Sequence, residues 1–265
     1  MLDLNAYLDR IGLDSPQNLA AVHRAHVASI PFENLDPRRG VPVSLDSDAL
    51  ERKLVTGRRG GYCFEQNLLL WAALEALGAE VEPLLARVRF GAPPGVTRPR
   101  THLVLRVHAE GGVWLADVGF GVGTLLEPLP FGPGQAHDQA GWHFRILEDA
   151  DEHVVQTMAD GDWQDLYGFV LQAVPLVDIE TSNWFTSTHP RSPFVTSLIV
   201  SVQRQDGTRI SLSDRAGLAL TEQTPTGSTV TPIPWDSVPE ILETHFGLSG
   251  FAIDDETRIV RLTDG

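Results

Sequence analysis

The chain has one cysteine, Cys63, and it follows directly on the run Arg58-Arg59-Gly60-Gly61-Tyr62. A thiol attacks only as its thiolate, and a helix N-terminus with a cationic neighbour lowers its pKa from about 8.5 to roughly 3.5–7.5. Leu68, Trp71, Ala72 and Glu75 recur at helical spacing up to Gly78, which places Cys63 at the start of a helix. The glycines before it permit a tight turn and close approach of a substrate. Most cysteines are simply small buried hydrophobes, but the placement of this one favours a nucleophile. A base is available in the hairpin THLVLRVHAEGGVWLADVG. With Glu110-Gly111 as its two-residue turn, Val104 faces Asp117 and His102 faces Gly119. His102 and Asp117 then form a diagonal pair on one face, with Cα atoms roughly 7–8 Å apart. In that register Leu103, Leu105, Val107, Trp114, Ala116 and Val118 point to the opposite, core-facing side. A carboxylate on one imidazole nitrogen fixes the tautomer and leaves the other nitrogen for the thiol, as a Cys-His-Asp triad requires. A thiolate–imidazolium pair at neutral pH is the expected resting state.

These residues need elements to hold them. Helices are expected over DLNAYLDRIG, over SPQNLAAVHRAHVASI with Ser15 as cap and Pro16 at the first position, from about Asp46 to Leu54, and from Cys63 to Gly78. From about Glu82 the period becomes two, and LLARVRF, THLVLRV, VWLADVG, FRILED, HVVQTM and WQDLYGF read as strands of a meander or small barrel. A hairpin follows, FVTSLIVSVQR and RISLSDR around Asp206-Gly207, and then a short helix, VPEILETHFG, ending at Gly247. The run Gly119 to Gly123 offers backbone amides to a thioester oxygen or a phosphate. It is not a dinucleotide fingerprint, because Pro128 and Pro130 stand where that motif needs a helix. His23 and His26 read as surface residues rather than metal ligands, and no metal is assigned. Phe90, Trp71 and Trp114 read as core.

The chain is 265 residues long with a formal net charge of −15, and Lys53 is its only lysine. That charge argues against nucleic acid, since phosphates must be neutralised by Lys and Arg. The start lacks a basic flank and an apolar run, and the stretch LLLWAALEAL is broken by Glu75, so neither a secretory signal nor a membrane span is expected. A cytoplasmic enzyme is the expectation.

The motifs IPFENLD (30–36), RRGGYCFEQN (58–67), THLVL (101–105), DVGFG (117–121), SNWFTSTHPRSPF (182–194) and ILETHFGL (241–248) together resemble the arylamine N-acetyltransferases nearly end to end. The resemblance implies an α+β fold with a cysteine-protease-like triad. It divides the chain into a helical bundle with the nucleophile (1–80), a β-barrel with His102 and Asp117 (81–190) and an α/β lid (191–265). It implies a ping-pong reaction in which Cys63 takes acetyl from acetyl-CoA and delivers it to an arylamine or arylhydrazine. It also implies a structural ion pair of Glu33 with Arg59, an acceptor pocket lined by Phe120 and Val122, and cofactor contacts at Gly121, Gly123 and Thr124. Arg98 and Arg100 either meet a CoA phosphate or stay solvated. No membrane or nucleic-acid partner is implied, and a monomer or small homo-oligomer is expected. Three other readings stand beside this one: an amide synthase using the same triad on a carrier-bound thioester, a cysteine hydrolase, and a small-aromatic binding module with a vestigial triad.

Overall fold

The computed structural model describes residues 2–16, 18–93, 95–254 and 256–263. Helix α1 (Leu4–Ile11) opens on Asp3, whose carboxylate accepts the N–H groups of Asn5 and Ala6, and closes on Gly12 at φ 69°. Helix α2 (Leu19–Ser29) begins later than Ser15-Pro16 would have it, because Asn18 supplies the cap by accepting the Ala21 N–H at 2.7 Å. After β1 (Phe32–Glu33) and α3 (Leu35–Arg38), helix α4 (Ser47–Leu50) widens into a π-turn over Glu51–Thr56, two residues beyond the expected end at Leu54. The wide turn presents Lys53 to the start of α5 (Cys63–Ala76), where its ammonium meets Glu65 at 2.7 Å.

The strands β2 (Glu80–Val88), β3 (Arg100–Ala109), β4 (Gly112–Ala116), β5 (Leu129–Pro130), β6 (His137–Gln139), β7 (Trp142–Asp149), β8 (Glu152–Ala159) and β9 (Asp162–Phe169) form one sheet in the order β5-β4-β3-β2-β9-β8-β7-β6. It curls into a nearly closed barrel, its ends brought together where Gly134 N–H donates to Ile146 O at 2.7 Å. Helices α6 (Leu176–Thr188) and α7 (Pro193–Thr196) lead into β10 (Ile199–Gln203), β11 (Arg209–Ser213), β12 (Ala219–Thr224) and β13 (Gly227–Pro232). Helix α8 (Val238–Phe246) and the ribbon β14 (Phe251–Ile253) with β15 (Val260–Leu262) follow. The C-terminal hairpin is shorter than expected at its start, because Ser192 caps α7 and Pro193 opens it, taking Phe194 to Thr196 out of the strand. β1 pairs with β10, so the first third of the chain contributes an edge to the last sheet.

The β3–β4 pairing has the expected register, Leu105 opposite Ala116 and Val107 opposite Trp114, around a turn with Glu110 at φ 56° and Gly111 at φ 73°. A two-residue turn with both φ positive matches strand twist, and this fixes the register. The burial differs from expectation. Leu105, Val107, Ala116 and Val118 pack against the helices, but Val104 and Leu115 on the opposite face are equally buried, inside the barrel. Phe90 is not core: it lies in the β2–β3 loop and is 53% exposed. Trp71 and Trp114 are half-buried against the helical core.

Candidate active site

Cys63 is the first residue of α5, and its thiol is buried. The turn before it is held by Glu65, which accepts the Tyr62 N–H at 3.1 Å, and by the side-chain amide of Gln66, which donates to Pro31 O at 2.8 Å and Gly61 O at 3.2 Å. Gly60 and Gly61 are glycines for packing rather than for substrate approach. A Cβ on Gly60 would stand 2.1 Å from Pro31 O, and one on Gly61 would stand 2.7 Å from the Glu65 carboxylate.

His102 lies on β3 and Asp117 one residue past the end of β4, both buried. His102 Nε2–H donates to Asp117 Oδ2 at 2.7 Å. A carboxylate accepts, so Nε2 carries the proton and Nδ1 is the basic nitrogen. Asp117 Oδ1 also accepts from Asn67 Nδ2 (3.0 Å) and the Gly119 N–H (2.9 Å). Burial alone would raise this carboxyl, yet His102 and these donors hold it below the ordinary aspartate value. Gly119 brings the strand end onto the helix start, for a Cβ there would sit 2.7 Å from Cys63 Cα.

The β2–β3 ladder slips at this point. Ala86 pairs with His102 and Arg87 with Arg100, leaving Thr101 as the extra residue of a bulge. Its carbonyl accepts the Cys63 S–H at 3.6 Å. In this arrangement the sulfur is therefore a thiol. Burial pushes the Cys63 thiol up and the Asp117 charge adds to that, while backbone hydrogen bonds at Leu103 and Phe64 oppose both without prevailing. The helix N-terminus, expected to depress the thiol, is outweighed by burial.

Glu33 and Arg59 are paired, with Arg59 Nε and Nη2 donating to Glu33 Oε1 at 3.0 and 2.6 Å. The pair belongs to a wider network. Arg59 also reaches Asp36 (3.1 Å), and Lys53 bridges Asp36 and Glu65 at 2.7 Å each. Burial would lower Lys53, but Glu65, Glu33 and Asp36 raise it above an ordinary lysine, and Lys53 with Arg59 lowers Asp36 against its own desolvation. Phe120 packs edge-on against the His102 ring at 5.1 Å. Val122 is half-buried in the turn Gly121–Gly123, and Thr124, buried behind it, donates its N–H to Gly121 O at 3.1 Å. Arg98 is turned back on its own loop, donating to Phe90 O and Gly91 O at 2.9 and 2.8 Å.

His23 and His26, expected at the surface, are completely buried. His23 Nε2 accepts the Asp117 N–H at 3.2 Å while its Nδ1–H donates to Leu126 O at 3.2 Å. His26 Nε2–H donates to Gln66 Oε1 at 2.7 Å, and its Nδ1 accepts from the Tyr7 hydroxyl at 2.9 Å. Desolvation lowers the two pKa values to about 4 and about 3. Both rings are neutral, and α2 thus steadies both Asp117 and the turn before Cys63. Among the described residues, no group of three or more His, Cys, Asp or Glu is placed to hold a metal ion. Asn67, four residues after Cys63 on the same helical face, was discoverable as a polar residue in an apolar helix. Tyr167 had no such signal. A bulge opposite Gln156 aims its ring at His102 (4.8 Å), and its buried hydroxyl feels the Asp117 charge without reaching hydrogen-bond geometry.

Known proteins share this arrangement of elements. An N-acetyltransferase family model matches residues 16–251. The arylamine N-acetyltransferase of Mycolicibacterium smegmatis is 41% identical over 96% of this chain and 94% of its own length. The arylamine N-acetyltransferase / N-hydroxyarylamine O-acetyltransferase of Salmonella typhimurium is 36% identical over 80% of this chain and 76% of its own. The Mycobacterium marinum arylamine N-acetyltransferase, solved in complex with CoA, superposes with a TM-score of 0.87 at 39% identity, covering 92% of each chain. By the extent of these matches the chain belongs to the arylamine N-acetyltransferase family of acyltransferases.

Proposed function

We propose that the chain transfers acetyl from acetyl-CoA to an arylamine or arylhydrazine nitrogen through an acetyl-Cys63 thioester. The observation that carries the reading is that the His102–Asp117 pair is flanked by the two residues that close on Cys63: Thr101, whose carbonyl meets the sulfur, and Gly119, which donates to Asp117. His102 Nδ1 takes the Sγ proton, and Asp117 holds the resulting imidazolium. The sulfur bonds to the acetyl carbon, and the CoA sulfur leaves with the proton from His102. In the second half, the amine nitrogen attacks the thioester, its proton passes to His102, and Cys63 recovers it as the amide departs. Burial of Cys63 and Asp117 suits this sequence, because each proton step is made without competing water.

Phe120 and Val122 are assigned to the acceptor, since Phe120 packs on the catalytic ring and Val122 is two residues on. The turn Gly121, Gly123 and Thr124 is assigned to the donor. Gly121 at φ 82° turns the backbone in a way a side chain would strain, leaving main-chain groups free to approach a thioester or phosphate. Glu33 and Arg59 act structurally. The natural division of the chain is 1–80, 81–190 and 191–265, with monomers or small homo-oligomers working in the cytoplasm. Among the described residues no helix is long and apolar enough to cross a membrane.

Incubation of the intact protein with acetyl-CoA, without amine, should leave an acetyl adduct on Cys63 that an arylamine discharges. Absence of the adduct would favour an amide synthase. Rapid loss of it to water would favour a hydrolase.

A further inference from the structure

The hairpin β10–β11 has one face that is wholly apolar: Val200, Val202, Ile210 and Leu212 pack against α8. The other face, turned toward the barrel, carries Ser201, Gln203 and Arg209, all buried, with Ile199, Ser211 and Ser213 half-buried beside them. Gln203 stands directly opposite Arg209, and Ser201 is two residues along the same face. Gln203 is 3% exposed and Arg209 6%. Among the described residues, five side-chain atoms on this face lack any hydrogen-bond partner: Ser201 Oγ, Gln203 Nε2 and Oε1, and Arg209 Nε and Nη2. No carboxylate of the described residues lies within ion-pair distance of Arg209. The nearest carboxylates in sequence are committed elsewhere: Asp206 accepts the Thr208 N–H at 2.9 Å and Asp214 the Leu198 N–H at 2.8 Å.

Buried polar atoms are almost always satisfied, and a buried guanidinium without an anion is costlier still. Desolvation alone lowers Arg209 to about 9. Its geometry is nonetheless fixed. The guanidinium lies 3.6 Å over the centre of the Trp142 ring and 5.8 Å from Phe144. Trp142 is in turn pinned by its Nε1–H to Gly207 O at 2.7 Å, in the turn of the same hairpin. Stacking uses the face of the guanidinium and leaves its edges. The unpartnered atoms Nε and Nη2 are one edge, two parallel N–H groups spaced for two oxygens of one anion. The Gly121 turn closes one end, with Ser201 Oγ 3.6 Å from where a Gly121 Cβ would stand.

We propose that this face is a binding site for a small oxyanion of carboxylate size, gripped side-on by Arg209 Nε and Nη2 and completed by Gln203 Nε2 and Ser201 Oγ. The burial of all three side chains admits no polyanion, and the paired donors select oxygens over a halide. The site is separate from the triad and does not rest on the acyl-transfer reading.

The test is the melting temperature of the full chain against formate concentration, at constant pH and ionic strength, with chloride as the balancing salt. Wild type should show a saturable rise with formate. Arg209→Lys keeps the charge but loses the fork, and should raise the half-saturating formate concentration about ten- to a hundredfold. Gln203→Leu should raise it less, and it carries the test if the lysine variant does not fold. Equal responses in wild type and both variants would place any formate elsewhere and overturn the proposal. So would a chloride response equal to that of formate, or no saturable response in wild type.

Discussion

Two buried polar regions sit on either side of the Gly121 turn, and they handle charge in opposite ways. Around Cys63 the buried ions have partners within the chain: Asp117 has three donors, and Arg59 and Lys53 share the three carboxylates Glu33, Asp36 and Glu65. On the β10–β11 face, Arg209 has an indole ring and, among the described residues, no anion. A preorganised site must hold its charges before substrate arrives, because reorganisation at the moment of reaction would cost rate. A face with its donors free is set up to receive its partner from outside.

The most severe break in the satisfied region is loss of the nucleophile. Cys63→Ala should reduce acetyl transfer by at least about four orders of magnitude with the fold intact, read as CoA release at saturating amine. His102→Ala sharpens this. With the ring gone, only the backbone hydrogen bonds at Leu103 and Phe64 oppose burial and the Asp117 charge, so the pH midpoint for iodoacetamide labelling should climb above that of wild type. A midpoint unchanged from wild type would remove His102 from the mechanism.

Arg59→Ala comes next. It leaves Glu33 buried without its cation and should cost about 3–5 kcal/mol of unfolding free energy in denaturant titration. A variant as stable as wild type would show that Lys53 suffices to hold the carboxylates.

A broader, graded effect follows from the two histidines of α2. Both are neutral in the fold, with pKa values lowered to about 4 and about 3 from 6.5. The unfolded chain therefore binds protons that the folded chain refuses. Their contribution is complete above about pH 6.5 and is lost progressively as pH falls through 4 toward 3. Melting temperature should fall across that window, and His26→Gln, which cannot titrate, should flatten the fall. An equally steep fall in His26→Gln would assign it to the carboxylates instead.

The smallest effect is expected at the boundary between the two regions. A larger residue at Val122 should change relative kcat/KM among amines by about 10- to 200-fold while single-turnover acetylation of Cys63 stays nearly constant. Parallel losses in both would move Val122 from the acceptor to the donor.

Local chemistry was legible in the sequence wherever it depends on neighbours along the chain. The start of α5 at Cys63 follows from its apolar spacing, and the β3–β4 register follows from Glu110-Gly111, because a two-residue turn permits only one pairing. That register alone put His102 and Asp117 on one face. Burial was not legible, because it depends on what packs from outside. His23 and His26 have the spacing of an exposed helical face until the barrel end and Gln66 cover them. Phe90 has the composition of core and lies open, in the loop between β2 and β3. The Thr101 bulge, the approach of Tyr167 and the unpartnered edge of Arg209 are likewise products of packing between distant strands. Sequence determined which groups have the chemistry and which lie side by side on one element. The tertiary structure alone decided their desolvation, and with it which of them are neutral, which are charged and which still lack a partner.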